Sequence, residues 1–192
     1  MNTKKPKPLV GAVLKKIAPR IGARVVIEPE WNVAGQITFK NGKRSYFRFN
    51  SIGINTLGAS EISKDKDFAK FFLRKGGFPV IEGKTFFSDA FCAQLGSNRN
   101  VNAACAYANQ IGFPVIAKPN GGSQGRGVFR ADSERELRAA LKVVFELDRV
   151  ALIERFTPGE DYRVVVLDGE VISAYQRLPL SIDGDGSTTI AE

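Results

Sequence analysis

The chain has 192 residues, 43% of them hydrophobic and 25% charged, enough apolar material for one large or two small domains with a buried core. It contains no histidine, and Cys92 and Cys105 lack metal-ligand spacing, which excludes Ser–His and Cys–His nucleophile chemistry and argues against a zinc site. The net charge of +8 is unevenly spread, since Lys4, Lys5, Lys7, Lys15, Lys16, Arg20 and Arg24 all precede the first acid, Glu28.

In chain order, Val10, Val13, Leu14, Ile17 and Ile21 recur at helical spacing. Lys15, Lys16 and Arg20 then form the solvated face of an ordinary amphipathic helix, the reading preferred here. The other reading is a basic arm for nucleic acid or a membrane surface, but no aromatic residues are interleaved with these charges, so nucleic acid is not an expected partner. A short strand is expected over Arg24–Ile27, and residues 36–40 and 45–49 alternate around Asn41 and Gly42 as a hairpin. Residues 51–60 read as a loop, 64–75 as a helix stopped by Gly76 and Gly77, and 78–81 as a strand. A helix over Val101–Ile111 follows, then a strand at 115–118, a glycine-rich loop, and a strand at 128–130. Ser133, with Glu136 three residues on, opens a helix running to Leu147. A strand at 150–154 and a hairpin over 162–176, turning at Asp168 and Gly169, precede a loop-like tail from Leu178. Helices mixed with antiparallel hairpins predict an α+β fold without strict βαβ alternation.

The most informative stretch is FPVIAKPNGGSQGRG, residues 113–127. An apolar strand delivers Lys118, Pro119 stops the strand, and Gly121, Gly122, Gly125 and Gly127 surround Ser123, Gln124 and Arg126. Glycines let backbone N–H groups turn toward a ligand, which is how a loop cradles phosphate oxygens. The lysine precedes the glycines, so this is not a Walker loop. Taken alone, the loop is either a phosphate cradle or a flexible hairpin. A lysine ending a buried strand, however, needs a partner for its charge.

With Lys66 at a helix start before this stretch, and Glu154 and Asp161 after it, the chain resembles the ATP-grasp carboxylate–amine ligases, a group that includes cyanophycin synthetases, bifunctional glutathione synthetases and ribosomal-protein glutamate ligases. The segments carrying the resemblance are SKDKDFAKFFLRKGGFPV (63–80), FPVIAKPNGGSQGRGV (113–128), VALIERFTPGEDYRVVVLDGEVISAYQR (150–177) and PLSIDGDGSTTIAE (179–192). It implies two α+β subdomains sandwiching ATP, in a partial ATP-grasp domain over residues 61–192. Residues 1–60 are then a separate N-terminal α/β region with the basic helix and hairpin. It also implies that Lys66 and Lys118 reach the α- and β-phosphates, and that Ser123, Gln124, Gly125 and Gly127 fold over them. Glu154 would accept the adenine amino group, the backbone of Arg155 and Phe156 would read the ring edge, and Asp161 would hold the ribose hydroxyls. Arg163 and Arg177 would clamp the transferred phosphoryl group as catalytic residues. From the residues alone, Lys66 is equally a solvated helix position, and Glu154 and Asp161 an exposed pair bridging Arg155 or Arg163.

The resemblance also implies magnesium, held by a late carboxylate and a Glu-x-Asn motif C-terminal to the Gly184-Asp185-Gly186 loop, and no such motif occurs there. Glu30-Trp31-Asn32 lies far upstream and reads as coincidence. The chain is therefore expected to be a fragment or a truncated relative lacking the C-terminal part of the second subdomain, inactive by itself. The leading expectation is the ATP-binding part of a ligase that forms an acyl phosphate from an amino acid or peptide. Alternatives are a non-catalytic nucleotide-binding adaptor and a basic nucleic-acid-associated protein. With no apolar run near ~18 residues, a polar proline-containing N-terminus and unpatterned cysteines, a cytoplasmic location without a membrane partner is expected, and a homo-oligomer is allowed.

Overall fold

The computed structural model describes residues 9–178, 184, 186, 187 and 189, and the chain divides into two units, Met1–Pro79 and Val80–Glu192.

In the first unit, helix α1 (Leu9–Ile17) runs into a short 3-10 turn (Ala18–Ile21) closed by left-handed Gly22. Strands β1 (Arg24–Ile27), β2 (Ala34–Thr38), β3 (Arg44–Arg48) and β4 (Ser51–Ile52) follow as one antiparallel sheet in that order. The apolar stripe of α1 is the reason it packs. Val10 and Leu14 lie on a core of Ala18, Ala23, Ile37 and Phe47 beneath the sheet. Gly35 is forced by this packing, because a Cβ there would lie 2.4 Å from the Val26 carbonyl oxygen and 2.6 Å from the Phe47 ring. The β1–β2 turn is built on Glu28, whose carboxylate accepts the N–H groups of Glu30, Trp31 and Asn32.

The expected loop at 51–60 is instead β4 and the start of helix α2 (Leu57–Lys64); Gly58 within that helix masks its periodicity. Helix α3 (Lys66–Lys75) starts where Asp65 caps the Phe68 N–H at 2.9 Å. It ends at Gly76 and Gly77, where the Phe78 N–H donates to the Leu73 carbonyl at 3.0 Å. That bond explains why no strand forms over 78–81. Phe78 closes the helix end, and Pro79 has no N–H to offer a ladder.

The strand of this region begins later, as β5 (Gly83–Phe87) in the second unit. Helix α4 (Asp89–Leu95), absent from the sequence reading, is a seven-residue turn capped by Ser88. Helix α5 (Val101–Ile111), strands β6 (Val115–Pro119) and β7 (Phe129–Ala131), helix α6 (Glu134–Leu147) and strand β8 (Val150–Arg155) complete the layer. The sheet order is β5-β8-β6-β7, antiparallel throughout. Val115, Ala117, Ala151 and Ile153 point from the two central strands into a core with Ala104, Ala108 and Ile111 of α5 and Leu137, Leu141 and Val144 of α6. The spacing of those α6 residues puts them on one helix face. Strands β9 (Tyr162–Leu167) and β10 (Glu170–Gln176) form a separate hairpin through Asp168 and Gly169, with every residue exposed.

Candidate nucleotide site

Alternation along β6 sends Val115 and Ala117 toward the helices and leaves Lys118 on the opposite face. On β8 the same rule sends Ala151 and Ile153 inward and turns Glu154 outward with Lys118. The register pairs Ile116 with Glu154 and Lys118 with Leu152, so the two charged residues are diagonal neighbours on adjacent strands. They form a direct ion pair, with the Lys118 Nζ donating to Glu154 Oε1. Their side chains are 20% and 7% exposed, so this lysine meets its charge partner inside the fold. The phosphate and adenine candidates of the sequence reading are thus one structural unit.

Pro119 ends the strand, and the Asn120 N–H still pairs with the Val150 carbonyl at 2.9 Å. The loop then departs with Gln124, Gly125 and Gly127 at positive φ. Gly127 has no alternative: at φ +72°, a Cβ would lie 2.7 Å from Leu147 Cδ1 and 3.0 Å from the Pro119 ring. Short turns within the loop join the Arg126 N–H to the Ser123 carbonyl and the Val128 N–H to the Gly125 carbonyl, each at 3.3 Å. A cleft of about 640 Å³ opens between this loop and the end of α6, lined by Gly122, Ser123, Gln124, Arg126, Glu146 and Asp148.

Three residues unassigned from sequence organise the site. Asp148, between α6 and β8, accepts the Gly121 N–H at 2.9 Å through one oxygen and the Val150 N–H at 3.1 Å through the other. It ties the start of the loop to the start of the strand that carries Glu154. Glu82 binds the Arg155 guanidinium at 3.0 Å, and its carbonyl accepts the Arg155 N–H at 3.0 Å. The Arg130 guanidinium lies 4.7 Å from the centre of the Phe156 ring. Asp148 and Glu82 carry no periodic or motif signal; only the strand pairing reveals them. The Phe156 N–H donates to the Pro114 carbonyl at 3.2 Å, so the N–H groups of both Arg155 and Phe156 are engaged inside the protein.

Asp161 and Arg177 meet at the open end of the β9–β10 hairpin, where their side chains form an ion pair and the Arg177 N–H donates to the Asp161 carbonyl at 2.7 Å. Arg163 lies on β9 opposite Tyr175. Beside Asp161, the Tyr162 hydroxyl donates to Glu160, which pushes its pKa up. Lys66 opens α3 in the first unit, beside Asp65 and Asp67. The structure therefore gathers the candidates into a Lys118–Glu154 pair with its glycine loop, an Asp161–Arg177 pair on the hairpin, and Lys66 on a helix of the other unit. The Gly184-Asp185-Gly186 loop falls partly outside the described residues. Among the described residues, no group of three or more carboxylate, cysteine or histidine side chains is placed to hold a metal ion.

Residues 72–182, which include the ion pair, the loop and the hairpin, match the protein family described as D-ala D-ala ligase C-terminus. The chain belongs to that family of ATP-grasp carboxylate–amine ligases. It is 33% identical over 134 residues to cyanophycin synthetase of Trichormus variabilis, a match covering 69% of this chain and 14% of that protein. To D-alanine–D-alanine ligase of Haemophilus ducreyi it is 33% identical over 121 residues, 63% of this chain and 37% of the relative. The chain thus spans well under half the length of these relatives. Among solved structures, D-alanine–D-alanine ligase from Bacillus anthracis complexed with ATP superposes with a TM-score of 0.51 at 26% identity, over 64% of this chain and 38% of that one. The α+β architecture is that of the ATP-grasp ligases.

Proposed function

We propose that this chain supplies the ATP-binding part of an ATP-dependent carboxylate–amine ligase acting on an amino acid or peptide. The observation that carries the reading is the nearly buried Lys118–Glu154 pair at the foot of the loop formed by Gly121 to Gly127. A lysine held in a low-dielectric site by one carboxylate is a cation placed in advance for a polyanion, with little reorganisation left to do. Its ammonium carries three donors, so it can bind a phosphate oxygen while still donating to Glu154. The Glu154 carboxylate, an acceptor at both oxygens, would receive the adenine amino group. Since the Arg155 and Phe156 N–H groups are engaged, carbonyl oxygens of this segment are left to read the ring edge.

The glycine loop, with Ser123, Gln124, Gly125 and Gly127, closes over the phosphates. Asp161 offers two oxygens to the ribose hydroxyls, and Arg163 and Arg177 stabilise charge on the phosphoryl group in transfer. ATP phosphorylates a carboxylate, and an amine then displaces phosphate from the acyl phosphate.

Thermal unfolding with and without ATP tests the binding half of this reading. Saturation at ~100 times the dissociation constant should stabilise the fold by about 2.7 kcal/mol. Lys118→Ala alone removes the lysine from a buried ion pair and leaves the Glu154 charge in place, which costs about 3–5 kcal/mol of stability and confuses the result. The Lys118→Met, Glu154→Gln double variant removes both charges and should fold without an ATP-dependent shift. A folded wild type that ATP does not stabilise, or a double variant stabilised as much as wild type, overturns the reading.

A further inference from the structure

The sheet of the first unit has one face on α1 and one in solvent, and the solvent face has an unusual composition. The register aligns Arg24, Thr38 and Arg44 in one row across β1, β2 and β3, and Val26, Gln36 and Tyr46 in the next. Arg48 follows two residues after Tyr46 on the same side. Arg24, Arg44 and Arg48 are exposed, and Tyr46 is 64% exposed. No residue of these three strands is acidic. At the end of β3 the Arg48 guanidinium lies 5.4 Å from the centre of the Phe49 ring, itself 53% exposed. The surrounding unit is strongly basic: residues 1–79 hold sixteen of the 28 Lys and Arg but five of the 20 Asp and Glu.

We infer that this sheet face binds single-stranded nucleic acid, a function separate from the nucleotide site. Charge requires a polyanion, and the aromatic at the centre selects which one. A ring lying between Arg44 and Arg48, with roughly 7 Å between successive outward side chains, offers a base a stacking surface flanked by phosphate contacts. A duplex keeps its bases stacked internally and can use only the arginines. An acidic peptide has nothing that needs Tyr46. The absence of aromatics among the charges of α1 does not bear on this face, where strand pairing brings ring and arginines together.

The test is fluorescence anisotropy with labelled dT15 and rU15, a duplex of the same length, and poly-aspartate, using the full chain over a range of salt. The single strands should bind at least about tenfold more tightly than duplex or poly-aspartate. Tyr46→Ala should weaken single-strand binding about tenfold with an unchanged salt slope, and Tyr46→Phe should restore it. Arg44→Ala and Arg48→Ala should each lower the salt slope by about 0.7. All these side chains are exposed, and melting curves will show that the variants fold. Equal binding of poly-aspartate, binding indifferent to Tyr46, or binding abolished by Lys15→Ala with Lys16→Ala but not by the sheet variants, overturns the inference. A preference for rU15 over dT15 would identify RNA within the same proposal.

Discussion

Asp148 shows how one side chain outside the glycine loop governs it. Its two oxygens hold Gly121 and Val150, so removing them frees the loop's first residue while leaving its glycines intact. Asp148→Ala should speed tryptic cleavage after Arg126 severalfold and weaken ATP binding about tenfold, a loss equal to one charge-assisted hydrogen bond. Asp148→Asn, which keeps one acceptor, should restore most of both. Unchanged cleavage after Arg126 would show that the loop is ordered from elsewhere. A different carboxylate contributes to acid sensitivity. Three N–H donors, that of Trp31 foremost, hold Glu28 below the usual glutamate range. A depressed folded pKa stabilises above the unfolded value and loses that stability as pH falls through the folded one. Glu28→Gln should therefore lower the melting temperature at neutral pH and converge with wild type on acidification below the ordinary glutamate pKa. Cys92 and Cys105 are both buried, and burial pushes their thiols up, which disfavours the thiolate form.

Elements were legible where a local rule was also the global one. Helix α6 shows its Ser133 cap, its apolar spacing and its length in sequence, and the structure agrees because the core it meets needs that same face. Leu141, fully buried there, should cost about 2–5 kcal/mol when changed to alanine, measured by denaturant unfolding. Strand β5 was misplaced because residues 78–81 are as apolar as a strand, while the Phe78 N–H was already committed to the end of α3. Helices α2 and α4 were missed because each is too short to show a period. The hairpin is legible in its Asp168-Gly169 turn, but the Asp161–Arg177 pair at its open end follows only from the register. For a ligase carrying this hairpin, Arg163→Ala should lower turnover more than ATP affinity, measured by phosphate release beside ATP binding. Equal losses in both would count against a role in phosphoryl transfer. Arg177→Ala also releases Asp161, so its ATP affinity should fall as well.

At the scale of the whole chain, the sequence separates charge from chemistry. The basic excess lies in residues 1–79, while the loop, the Lys118–Glu154 pair and the hairpin lie beyond residue 80. The motif at 113–127 is legible because a glycine-rich loop is local in sequence. The identity of Lys118's charge partner did not, because it depends on β6 and β8 pairing in one register across 36 positions. That dependence has a consequence for how the protein fails. A slip of one residue between β6 and β8 would turn Glu154 toward the helices and strand Lys118 alone. The register that brings the charged pair together is therefore lost only with the sheet, whereas the loop held by Asp148 can open by itself. On heating, the glycine loop should loosen first and gradually, while the Lys118–Glu154 pair persists until the whole layer melts.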